Sequence, residues 1–173
     1  MPTITLRTVQ DTDLPHFFQH QLDESANQMA AFTSGEPENH AGFMAHWTKI
    51  RTHPSVVIRT IVCEDTVAGY ILVHDWFGDP EVSYWIDRAY WGRGVATEAL
   101  RQFLGIVTNR PIFGRTAADN VGSQRVLEKC GFQLTRHERG YANARNAEID
   151  ETVYKLDCSY SGSQDVRFSA EAF

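Results

Sequence analysis

The chain has 173 residues, 42 % of them hydrophobic and 22 % charged, which suits one globular domain with a real core rather than two. A net charge of −6 argues against general nucleic-acid binding, which needs a basic face, and no apolar run approaches the ~18 residues that cross a bilayer. Cys63, Cys130 and Cys158 share no CxxC spacing and read as reduced thiols, not as a disulfide framework or a nucleophile. The first residues, MPTITLRTV, carry no basic region followed by an apolar stretch, so the cytoplasm is the expected compartment.

In chain order, residues 4–9 alternate apolar and polar side chains, a strand signal. Asp11, Thr12 and Asp13 offer helix caps before Leu14 and Pro15, where a first helix should start. The polar stretch 26–39, with Ser34-Gly35 and Pro37, reads as a loop whose end, Pro37-Glu38-Asn39, resembles a first helical turn. Residues 41–51 then predict a second helix burying Phe43, Met44, Trp47 and Ile50. Beyond Pro54 the period changes. Strands are expected over 56–63 and 67–74, joined at Glu64-Asp65, and over 81–86 after the break at Gly78-Asp79-Pro80. A glycine-rich turn leads into a helix over 95–107. A strand at 112–117, a short helix at 123–129 and a hairpin of 133–141 with 149–156 complete the series. The domain is assigned to residues 1–157. Residues 158–173 form a tail that would dock through Val166, Phe168 and Phe173 on this domain or on a second copy, which slightly favours a homodimer.

The informative segment is residues 84–104, YWIDRAYWGRGVATEALRQFL. A strand ends, Gly92 and Gly94 make a turn, and a helix begins at once. Orphan backbone N–H groups and the helix dipole then converge on one spot that favours an anion. Glycine suits the turn because a Cβ would keep phosphate oxygens off the backbone or forbid positive φ. The Lys-Ser/Thr ending of a nucleoside-triphosphate loop and the full GxGxxG of a dinucleotide fold are both missing.

A second motif, NVGSQRVLEKCGF at residues 120–132, follows about one strand later. With EVSYWID at 81–87, YWGRGVATEAL at 90–100, AGYIL at 68–72 and EIDETVYKL at 148–156, the chain resembles the GNAT (Gcn5-related N-acetyltransferase) superfamily over roughly residues 3–157. Within it, the chain looks like the RimJ/RimL-like branch of ribosomal-protein N-terminal acetyltransferases. The resemblance implies an α/β fold, a mixed, twisted central sheet with helices on both faces. It also implies acetyl-CoA as cosubstrate, no metal, and a primary amine as acceptor, favoured as a protein or peptide N-terminus. A small amine or aminoglycoside remains open, as does a non-catalytic acyl-CoA-binding regulatory module.

By the same resemblance the family's Arg/Gln-x-x-Gly-x-Gly/Ala pattern falls on Trp91, Gly94 and Ala96, with tryptophan replacing the usual first residue. Backbone N–H groups of Gly92, Arg93, Gly94, Val95, Ala96 and Thr97 would hold the CoA pyrophosphate. Tyr84, Trp85 and Ile86 would splay from the strand at Thr116-Ala117 and pair with the pantetheine arm like an added strand. Asn120 would bond that arm. Arg125 and Lys129 would reach the adenosine phosphates or simply face solvent. Many relatives protonate the leaving thiolate with a tyrosine at the position of Leu127. Here Ser123, one turn earlier on the same face, is the candidate donor. Glu81 is the first candidate for general base, with Glu138, His74 and Asp75 behind it. Glu81 could equally be a solvated strand residue, and an amine already partly neutral needs no strong base. His16 and His20 stand four apart, a metal-binding spacing without a third ligand. Trp47, Trp76, Phe77 and Tyr141 are candidates for the acceptor pocket, with core packing as the plainer reading of Trp47.

Overall fold

The structure is a computed structural model and describes residues 1–158. The proposed tail anchors Val166, Phe168 and Phe173 lie outside those residues. Seven strands form one sheet: β1 (Ile4–Arg7), β2 (Val57–Cys63), β3 (Thr66–His74), β4 (Glu81–Ile86), β5 (Ile112–Ala117), β6 (Gln133–Ala142) and β7 (Ala147–Leu156). Their order across the sheet is β1-β2-β3-β4-β5-β7-β6. Every neighbouring pair is antiparallel except β4 and β5, which run parallel. This is the mixed sheet with helices on both faces that the resemblance implies.

The helices are α1 (Leu14–Gln21), α2 (Glu24–Ala30), α3 (His40–Thr52), α4 (Val95–Ile106) and α5 (Val121–Lys129). Helix α4 turns Val95, Ala99, Leu100 and Phe103 inward, the spacing of one apolar helical stripe. With Leu127 of α5 they pack on Ile61, Ile71, Ile86 and Ile112 of the sheet. On the opposite face α1 and α3 bring Phe17, Phe43, Trp47 and Ile50 onto Leu72. Phe17 stacks on Trp47 with centroids 4.8 Å apart, and Tyr70 meets both rings edge-on. Trp47 is thus a core residue.

Besides shifts of one or two residues at element ends, such as α5 starting at Val121 and β7 at Ala147, three regions differ from the sequence expectation. Residues 26–39 are not all loop, because α2 occupies Glu24–Ala30. This helix is too short to stand on propensity. It is held by Asp23 accepting from the Ala26 N–H and by buried Asn27 donating to the Gln21 and Asp23 carbonyls. Asn39 does not open a helical turn with Pro37. It is the cap of α3, its side chain accepting from the Gly42 N–H at 2.9 Å. Strand β1 stops at Arg7, short of Val9, because the chain enters a single 3-10 turn at Asp11–Asp13.

Asp13 does not cap α1 with its side chain. Its carboxylate instead receives two 2.7 Å bonds from Arg7, a third of 2.7 Å from Thr60 and one of 2.8 Å from the Gln10 N–H. Burial alone would raise the Asp13 carboxyl, but these four donors outweigh it and hold it below the usual range. The group fastens the start of α1 to β1 and β2.

Candidate active site

Asp87 ends β4 by accepting from the Ala89 N–H, and one 3-10 turn, Arg88–Tyr90, follows. Gly92 and Gly94 then take φ of 72° and 77°, the left-handed region where a Cβ is costly. Gly94 is the cap of α4, so the first N–H groups of that helix have no intrahelical carbonyl to bond. They face a groove of about 570 Å³. Trp91, Gly92, Gly94, Val95, Ala96 and Thr97 form one wall. Asn120, which caps α5, and Arg125 and Lys129 on that helix form the other, and Tyr84, Trp85 and Ile86 lie along its floor. Arg93 is placed differently: its guanidinium lies over the Tyr90 ring, 5.2 Å from the centroid. Trp91 donates from Nε1 to the Ile86 carbonyl at 2.9 Å, fixing the turn to the end of β4.

The floor of this groove is a gap in the sheet. β4 and β5 pair only at Glu81 with Phe113 and Val82 with Gly114. Beyond Val82 they diverge, as expected for Tyr84 to Ile86 against Thr116 and Ala117. Asn120 spends its side-chain oxygen on the Ser123 N–H at 3.1 Å, which caps α5. The Ser123 hydroxyl sits 2.8 Å from the hydroxyl of Tyr84. Tyr84, Trp85, Asn120 and Ser123 line both the groove and a second cavity on the far side of the gap.

That second cavity encloses about 1130 Å³ beneath α2 and α3. Strand alternation paves its floor with facing pairs, Tyr70 beside Trp85, Leu72 beside Ser83, and His74 beside Glu81. Next to them Arg115 of β5 holds three carboxylates. Its Nε donates to Glu81 at 2.9 Å, and its Nη1 to Glu138 and, at 3.5 Å, to Glu151. Glu81 is buried, and burial pushes its carboxyl above the usual range although Arg115 pulls the other way. Glu151 is raised for the same reason. Glu138 is exposed to Arg136 and Arg115, which lower it. His74 is stacked 4.2 Å from Trp76, and burial depresses its basicity. Trp76 and Phe77 are 44 % and 69 % exposed and form an aromatic lip to the cavity, to which Trp47 and Tyr141 also contribute. Asp75 accepts instead from Ser55 at 2.7 Å.

Two side chains of the site have no role in the sequence reading. Tyr84 enters it only through the backbone edge offered to pantetheine, and nothing there points to its hydroxyl. Arg115 did leave a signal, a lone cation within an apolar strand, which implies buried anionic partners. Leu127, where many relatives have tyrosine, is 1 % exposed and belongs to the core. Cys130 is half-buried, and burial raises its thiol, the opposite of an activated nucleophile. His20 turns to Asp87 at 3.5 Å. Among the described residues no group of three or more His, Cys, Asp or Glu side chains is placed to hold a metal ion. No helix among them is long and apolar enough to cross a membrane.

An anion cradle opening onto a split parallel strand pair is the architecture of an acyl-CoA-dependent acetyltransferase. The family model for the acetyltransferase (GNAT) domain matches residues 3–133, and the chain belongs to that family, whose cosubstrate is acetyl-CoA. Among solved structures, RimJ of Mycobacterium smegmatis, in complex with a CoA disulfide, superposes with a TM-score of 0.77 at 18 % identity, over 92 % of this chain and 84 % of its own. RimL, a ribosomal alpha-N-protein acetyltransferase in complex with coenzyme A, gives 0.71 at 19 % identity, over 90 % and 94 %. A spermidine N-acetyltransferase from Vibrio cholerae, in complex with CoA and spermine, gives 0.75 at 15 % identity, over 90 % and 96 %. Identities this low carry the fold. The comparison with curated proteins returns no significant match.

Proposed function

We propose that the protein transfers acetyl from acetyl-CoA to a primary amine in a ternary complex, with a protein or peptide N-terminus as the favoured acceptor. The observation that carries this reading is the shared wall of the two cavities. Among the described residues Ala30, Tyr84, Trp85, Asn120 and Ser123 line both, so a thioester from one side and an amine from the other meet there. The pyrophosphate rests on the N–H groups of residues 92–97, and the pantetheine amides follow the β4 edge beyond Val82, with Asn120 beside them. Arg125 and Lys129 attend the adenosine end.

Direct attack needs a neutral amine and a stabilised leaving sulfur. Ser123 supplies a hydroxyl at the sulfur. Glu81, buried at the floor of the acceptor cavity, receives the amine's proton through water. The acceptor cavity holds Glu81, Glu138 and Glu151 against Arg115, with Arg136 on the outer side of Glu138, and three carboxylates to two cations leave a surplus of negative charge that draws a protonated amine. A second reading, a polyamine acceptor, is favoured by that same surplus and by the likeness to the Vibrio enzyme. Thiol release from acetyl-CoA, measured against peptides of varied first residue, spermidine, spermine and aminoglycosides, separates them. Turnover on peptides supports the first reading and turnover on polyamines alone replaces it. No turnover on any amine, with CoA still bound, removes both acceptors.

A further inference from the structure

We propose that the Tyr84 hydroxyl fixes the direction of the Ser123 hydroxyl, so that the serine's one hydrogen points at the thioester sulfur. Tyr84 is then a positioning residue for the departing thiolate. This inference rests on the role proposed above for Ser123.

The geometry comes from two independent elements. Alternation along β4 puts Val82, Tyr84 and Ile86 on the face that carries α4 and α5, where all three join one packed cluster. The cap at Asn120 sets the first turn of α5 and delivers Ser123 to the same point. Tyr84 Oη then lies 2.8 Å from Ser123 Oγ and 3.4 Å from the Ser123 carbonyl. Either hydroxyl can donate across the 2.8 Å contact; in the proposed arrangement the phenol gives its one hydrogen to Ser123 Oγ rather than to the more distant carbonyl. Burial raises the Tyr84 phenol far above its ordinary value, so it remains a donor throughout the working pH range.

A serine in the first turns of a helix ordinarily returns its hydroxyl to a backbone carbonyl one turn back. Among the described residues Ser123 makes no such bond, and its hydroxyl partner is Tyr84. With an acceptor lone pair of Oγ occupied by the phenol, the serine's own hydrogen must leave in another direction. The open direction is the gap, since both side chains line the groove and the cavity that meet there. Leu127, one turn further along the same helix face, has no hydrogen to offer.

The step balances without a proton leaving either hydroxyl. The amine nitrogen bonds to the carbonyl carbon, the C–S bond breaks, and the electron pair departs with sulfur. The amine proton goes to the base. The CoA thiolate, stabilised by the Ser123 O–H, is released and protonated in solvent.

The test uses CoA itself, so it needs no identified acceptor. The pH dependence of CoA affinity reports the ionisation of the bound thiol, and desulfo-CoA controls for every contact except sulfur. In the intact protein the bound thiol should ionise at lower pH than the thiol of free CoA measured in the same buffer. Ser123→Ala should raise it by about one unit, a tenfold loss of thiolate affinity. Tyr84→Phe, which keeps the ring, should raise it by about as much, and the double variant no further. Desulfo-CoA should bind all four proteins alike. A shift with Ser123→Ala but none with Tyr84→Phe overturns the inference and leaves the serine role standing. No shift with either removes the serine role and the inference with it. Additive shifts, or an equal loss of desulfo-CoA affinity with Tyr84→Phe, make Tyr84 a packing residue only.

Discussion

Gly114 of β5 and Leu127 of α5 are pressed together so closely that a Cβ on Gly114 would stand 2.7 Å from Leu127 Cδ2 and 3.2 Å from Cδ1. The contact draws α5 down onto the sheet just where β4 and β5 part, and it buries the side chain that many relatives use as an acid. Replacing Gly114 by alanine should cost about 1–3 kcal/mol by overpacking, read by chemical denaturation. Leu127→Tyr should destabilise by a similar route, because the larger ring must fit against Gly114. Leu127 also borders the acceptor cavity, but turnover should not rise, because Ser123 already serves the sulfur. A faster enzyme would mean that position 127 can reach the thioester after all.

The succession of strands along the chain and the glycine turn before α4 were legible because each has a local cause. Glu64 and Asp65, at φ of 47° and 66°, make the tight turn between β2 and β3, and the alternation of β-branched residues on either side does the rest. Gly92 and Gly94 announce a turn that only glycine adopts cheaply. What stayed hidden depends on contacts far apart in the chain. Helix α2 owes its order to Asp23 and Asn27, and its Ala31 end packs on Ala117 and Ala142. Tyr84 gains significance only when α5 folds over it, 39 residues later. Glu81 could be named as a candidate base, but its ion pair was hidden because Arg115 lies in another strand.

The cradle itself should be sensitive to one methyl group. Gly94→Ala places a Cβ on a left-handed residue, costing about 1 kcal/mol, and sets that carbon 3.1 Å from the Met1 side chain. Gly92 has open space around it, with no heavy atom within 4 Å of a Cβ, so Gly92→Ala carries the backbone strain alone. Both variants should fold. Gly94→Trp, which fills the groove, should abolish the rise in melting temperature that CoA produces. A preserved rise would place the pyrophosphate elsewhere.

Arg115 holds three carboxylates, of which Glu81 is buried and Glu151 half-buried. A carboxyl whose folded pKa is raised favours the native state below its unfolded value and loses that contribution as pH rises through the folded value. Glu81 and Glu151 are both of this kind, and Arg115 limits their shift. Arg115→Met should therefore push both further up and destabilise by roughly 3 kcal/mol at neutral pH. The deficit relative to the parent protein should shrink as pH falls through their raised values and the two groups become protonated. Glu138 retains Arg136 at its Oε1 and should contribute little to this trend. A pH-independent deficit would show that Arg115 acts by packing rather than by charge.

Glu81 distinguishes a base from a structural anion. Its ion pair with Arg115 spends one oxygen, Oε2, and burial sets its carboxyl above the usual range. As a base it must be ionised, so turnover should rise with pH through its raised pKa. Glu81→Gln keeps the shape and removes the proton acceptor. Turnover with the best amine of the panel should fall about a hundredfold or more, the acid limb of the profile should flatten, and the Michaelis constant for acetyl-CoA should stay put. An N-terminal amine, with a pKa near ~8, is already partly neutral above neutrality. For such an acceptor the loss should narrow as pH approaches that value, while a polyamine with a higher pKa should suffer throughout. A variant as fast as the parent at every pH would leave Glu81 as Arg115's counter-ion alone, with deprotonation passing to the solvent.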